Sequence, residues 1–206
     1  MGNIYDRRWR IARRLTGGVA LVGVLLLSLV LAGGDTMLDD LRAEIIPPTG
    51  SETAYGMPLS LDLLPQFIEW SYALLPSVEA DSRYLEAMNA LVAPCCDDHP
   101  MYRCCCEAGG RSCNIVRSGK GLAAYLIAQL DADATMVRES VFEWLRYARP
   151  DYYLATEMAT REIDPEQYGL TTYGSCYRRM CNVPISEGGC GGMEELIEPA
   201  IGTIGT

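Results

Sequence analysis

Six of the nine cysteines and the only histidine of this 206-residue chain fall within twenty consecutive residues, Pro94 to Cys113, which read PCCDDHPMYRCCCEAGGRSC. Each such cysteine must be bridged, bound to a metal or left as a reactive thiol.

The redox setting comes from the other end of the chain. Residues 15–34, LTGGVALVGVLLLSLVLAGG, are free of charge and, as a helix, long enough to cross a hydrocarbon core of ~30 Å. Arg7, Arg8, Arg10, Arg13 and Arg14 precede this run, and Asp35, Asp39 and Asp40 follow it. The positive-inside rule then predicts a single transmembrane helix, with residues 1–14 cytoplasmic and everything after residue 34 exported. The expected location is a bacterial inner membrane with a periplasmic main domain. The alternative is a cleaved signal peptide, since Leu31-Ala32-Gly33-Gly34 supplies small residues for cleavage.

The net charge of -10 hides an asymmetry, because without the first 14 residues 12 basic side chains face 26 acidic ones, a difference of -14. A body this acidic is poorly suited to binding phosphate backbones, so nucleic acid is not an expected partner.

Beyond the span, residues 35–58 read as a short acidic helix and an extended linker containing Pro47-Pro48-Thr49-Gly50 and Gly56-Met57-Pro58. Residues 59–163 form the predicted helical domain. Leu61, Leu64, Phe67, Ile68, Leu74 and Leu75 make one helical stripe, with Asp62 as its N-cap and Pro65 in the first turn. Tyr84, Leu85, Met88, Leu91 and Val92 make a second, stopping at Pro94. Leu122, Tyr125, Leu126 and Leu130 make a third, and Val137, Val141, Trp144, Leu145 and Ala148 a fourth, with Asp131 and Asp133 between them. Asp151 is read as the cap of a fifth helix through Ile163. The fold class is therefore mainly α: a small cysteine-rich bundle with long irregular arms, the last being residues 164–206. No alternation diagnostic of strands and no internal repeat occurs.

Three readings compete for the cysteine stretch. In an oxidising compartment disulfides are the default, and neighbours such as Cys95-Cys96 must pair outward because a bridge between them closes a strained ring. Alternatively Cys95, Cys96, His99, Cys104, Cys105, Cys106 and Cys113, with Met101 nearby, hold Cu or Zn, which thiolate and imidazole ligands suit. The third reading is thiol redox chemistry, which needs one accessible, low-pKa cysteine. In the glycine-rich arm, Cys176, Cys181 and Cys190 are disulfide candidates, because that segment has no apolar periodicity and needs staples to order.

Pro94-Cys95, the later Cys104-Cys105-Cys106, Cys113 with Asn114-Ile115, and Val137-Arg138 ahead of Trp144-Leu145 carry a resemblance. Over residues 85–147 the chain resembles, in part, the bacterial exported proteins named for a Pro-Cys-Tyr-Cys-Gly-Cys motif, where a helix runs into a cysteine cluster and two helices follow. It departs from that pattern in lacking the tyrosine and in inserting Asp97-Asp98-His99-Pro100. The resemblance implies metal handling.

Catalytic signatures are missing from the sequence. With one histidine placed among cysteines, a Ser-His-Asp triad elsewhere is excluded, and no phosphate-binding or dinucleotide motif occurs. Gly119 and Gly121 read as turn residues. Gly17, Gly18, Gly23 and Ser28 in the apolar run permit close helix approach in lipid, and the tail LIEPAIGTIGT carries a single charge. These features predict a non-enzymatic accessory subunit of a larger membrane complex, respiratory or photosynthetic in type, with the bilayer and other proteins as partners. The alternative is a free-standing periplasmic metal-binding or thiol-redox module.

Overall fold

The computed structural model describes residues 36–94, 100–103 and 113–172. Two compact units divide the chain, Met1–Arg42 and Ala43–Thr206, and most of what is described belongs to the second. Helix α1 covers residues 36–45. It is followed by α2 (Leu64–Ala73), α3 (Leu75–Val78), α4 (Ser82–Ala90), α5 (Asn114–Leu130), α6 (Ala134–Ala148) and α7 (Pro150–Thr160). The described chain is mainly α, as its apolar periodicities require. Among the described residues no helix is long and apolar enough to cross a membrane. The predicted span at 15–34 and the basic segment before it lie outside them, as do residues 173–206 of the arm predicted to be irregular.

Local chemistry sets most of the boundaries. Ser60, rather than Asp62, caps the entry to the first stripe by accepting from the Asp62 amide. Pro65 occupies the first turn of α2, where its missing N–H costs nothing. Asp81 caps α4 and Asp133 caps α6, each through its side chain. Between them Asp131 closes α5 in the left-handed region at φ 51°, a conformation that Asp tolerates better than most residues. The cap of α7 is the backbone of Arg149, and Asp151 stands inside its first turn, where a carboxylate still complements the helix dipole.

Helix α5 is the hub of the bundle, contacted by α2, α3, α4 and α6. Every residue from Asn114 to Ala124 is buried. It begins eight residues before the stripe that starts at Leu122, and Gly119 and Gly121 lie inside it rather than in a turn. Interior glycines cost a helix roughly 0.5–1 kcal/mol each relative to alanine. They persist here because they let other parts of the chain come close: a Cβ on Gly121 would stand 1.7 Å from the Phe67 carbonyl oxygen and 2.8 Å from the Ser71 nitrogen, both on α2. Backbone thus rests on backbone at this crossing.

An aromatic group fills the space beside that contact. Phe67 meets Trp144 edge to face at 4.8 Å and stacks on Trp70 at 5.2 Å, and Trp70 lies flat on Tyr125 at 4.0 Å. Trp144 is fully buried. Its indole N–H donates to Ser118 Oγ at 2.8 Å, and that hydroxyl donates onward to the Ile115 carbonyl at 2.8 Å. The buried polar atoms of this pair are therefore satisfied.

Arg83 ties the start of α4 to the α5–α6 turn. Its Nε and Nη2 donate to the two carboxylate oxygens of Asp81 at 3.1 and 2.9 Å, while Nη1 donates to Asp131 at 2.8 Å and to the Ala132 carbonyl at 3.2 Å. Arg161 clamps Glu44 in the same two-pronged way, at 3.1 and 2.6 Å. Hydrogen bonds from Arg83 hold Asp81, and those from Arg161 hold Glu44, below the ordinary carboxylate range. The folded chain therefore binds these protons more weakly than the unfolded chain, so the stabilisation is complete above the unfolded values near pH ~4 and is lost as pH falls through the folded ones. Melting temperature is expected to be flat from neutrality to pH about 5 and to decline below pH about 4. Thermal melts of D81N/E44Q should show a shallower acid limb than wild type; an identical limb would show that neither clamp matters.

Candidate functional site

The cysteine stretch is inserted between α4 and α5, and the structure describes its anchors. After α4 the chain extends, Ala93 is fully buried, and Val92 forms an antiparallel bridge with Pro100. The Met101 amide donates to the Leu91 carbonyl at 2.7 Å. The two ends of residues 95–99 are therefore held side by side. Met101 is fully buried, and its methyl end would be 2.8 Å from a Cβ on Gly119. This residue, near the predicted ligand set, is thus a core residue packed against the hub.

The stretch returns to the described chain at Cys113, buried and extended, one residue before α5 begins. Of the predicted site residues Cys113 is the one whose place is described. Cys95, Cys96, His99, Cys104, Cys105 and Cys106 lie outside the described residues, as do Cys176, Cys181 and Cys190. Among the described residues no group of three or more His, Cys, Asp or Glu side chains is placed to hold a metal.

Two cations follow Cys113 along α5. Arg117 and Lys120, one and two turns into α5, are both buried. The Arg117 guanidinium donates to the Tyr72 hydroxyl and lies over the Tyr72 ring, 5.4 Å from its centroid.

A second feature, which the stripes do not announce, lies where α4, α6 and α7 meet. An open cavity of about 670 Å³ is lined by residues including Val92, Phe142, Arg146, Tyr153 and Thr156. Phe142 stands off the apolar stripe of α6 and is 38% exposed. That off-stripe aromatic, with Arg146 one turn later, is the signal in the sequence that would have located the cavity. Glu143, on the same helix, is raised above the ordinary carboxylate range by partial burial, against the opposing pull of Arg146.

No protein-family model, curated protein or solved structure matches the chain.

Proposed function

We propose that this protein is a membrane-anchored, extracytoplasmic, cysteine-stapled helical module that serves as an accessory subunit of a larger membrane complex. The observation that carries the reading is the anchoring of the cysteine stretch. One end is bridged at Val92 and Pro100 behind α4, and the other is buried at Cys113 on the threshold of the hub helix. Crosslinks formed within it act directly on the core, which suits a rigid scaffold presented to other subunits. The uncharged run at 15–34 supplies the anchor, and its glycines a surface for neighbouring helices.

A metal-binding module is the second reading, favoured by Arg117 and Lys120 buried close behind Cys113. A thiolate-rich Cu or Zn centre has net negative charge, which these cations would offset.

Intact mass before and after alkylation, native and denatured, together with metal analysis, separates the readings. Under native conditions Cys113 and its neighbours in sequence are expected to resist alkylation. Protection that survives chelation but yields to reductant marks bridges; protection lost on chelation marks metal. Free alkylation of all six cysteines in the stretch would defeat both. Gentle extraction followed by native mass spectrometry tests the subunit assignment, which fails if the chain travels alone at its own mass.

A further inference from the structure

The α4–α6–α7 cavity contains a polar group that the fold leaves without use. Arg146 lines the cavity, and its Nε–H is buried with no hydrogen-bond acceptor. The guanidinium lies over the Phe142 ring, 4.8 Å from its centroid, so the ring face holds the group in place without satisfying its donors. Arg83 and Arg161, by contrast, are each forked onto carboxylates, and Arg149, whose buried Nη1 also lacks an acceptor, does not line the cavity. Glu157, which also borders the cavity, is engaged by Arg161 Nε at 2.7 Å.

Apart from Thr156 and Thr172, the rest of the lining is apolar or aromatic. Tyr153 meets Phe142 edge to face at 5.4 Å and Tyr152 at 5.2 Å, which fixes the rings as a wall, and Val92 is 47% exposed at the edge. A concave, largely apolar space of about 670 Å³ with a single convergent cation lies in the size range of small-molecule sites. A buried donor without a partner calls for an acceptor, and a guanidinium edge matches a carboxylate through two parallel N–H···O bonds.

From this arrangement we infer that the cavity binds a small amphipathic monocarboxylate, its carboxylate forked on Arg146 and its apolar body against Phe142, Tyr153 and Val92. The neighbouring cavity, about 600 Å³, is bordered by Asp133, Glu139 and Glu143. Those carboxylates direct an anion to the Val92 side of Arg146. This site is independent of the membrane anchor and of the cysteine chemistry.

The test uses the full chain in lipid nanodiscs with labelled arginine side chains, so that Arg146 Nε–H is observed directly by NMR. Octanoate and 4-phenylbutyrate are titrated, with octanol and 4-phenylbutanol as uncharged counterparts and empty nanodiscs as control. One arginine resonance, missing from R146M, is expected to shift saturably with a carboxylate and not with its alcohol. The stronger of the two acids identifies an aliphatic or an aromatic ligand source. R146M should weaken binding at least tenfold, and R146K, which keeps charge but not the fork, by an intermediate factor. T156W, an exposed substitution at the cavity edge, should block binding while leaving the melting temperature near wild type. The inference is overturned by the absence of a saturable shift, by equal binding of acid and alcohol, or by wild-type affinity in either R146M or T156W.

Discussion

Replacing Gly121 with alanine is expected to disrupt the bundle. The new methyl would lie 1.7 Å from the Phe67 carbonyl oxygen, about half an ordinary contact distance, and the obstructing atoms belong to the backbone of α2. No rotamer change relieves the clash, so α2 must move away from α5, taking Phe67 and Trp70 with it. Overpacking typically costs 1–3 kcal/mol; with a whole helix displaced, about 3 kcal/mol or more is expected, against a total stability of roughly 5–15 kcal/mol for a domain. Gly119→Ala is the internal control. Its methyl would meet the flexible end of Met101 at 2.8 Å and Val141 at 3.4 Å, and alanine gains roughly 0.5–1 kcal/mol of helix propensity, so the net change should stay within about 1 kcal/mol. Denaturant unfolding of the two variants side by side measures the difference. Equal stabilities would mean that the α2–α5 crossing is not the close contact described.

Trp144→Ala should be nearly as costly. The indole is fully buried, packs edge to face on Phe67, and donates to Ser118. Truncating a core aromatic of this size costs about 3–5 kcal/mol. Trp144→Phe keeps much of the packing and loses the N–H donor, for about 1 kcal/mol, because Ser118 retains its bond to Ile115. Near-ultraviolet circular dichroism and denaturant titration together resolve these outcomes. A cost below about 1 kcal/mol for the alanine variant would place the centre of the core elsewhere.

Much of the helical framework is legible before any coordinates. The stripes around Phe67, Tyr84, Leu126 and Val141 mark α2, α4, α5 and α6, because helical amphipathicity is written every three to four residues along the chain. Caps are equally local: Asp133 starts α6 and Asp131 stops α5. The first half of α5 escaped that logic. NIVRSGKG has two glycines and two cations where a helix buried on all sides needs no stripe, so its glycines read as turns until α2 is seen lying on Gly121.

The Arg146 cavity belongs to the same category. Phe142 and Arg146 are four residues apart on one helix, a spacing the sequence states, but the wall facing them comes from Val92 after α4 and from Tyr153 and Thr156 on α7. The sequence by itself determined that the chain is helical and which way most of its helices turn their apolar sides, since those choices depend on neighbours within a turn or two. The tertiary structure decided which helix became the buried hub, which glycine admits a backbone, and which arginine lines a cavity with its buried Nε–H unpaired. Close approach and the burial of a charge are properties of pairs of elements distant in sequence, and no single segment encodes them.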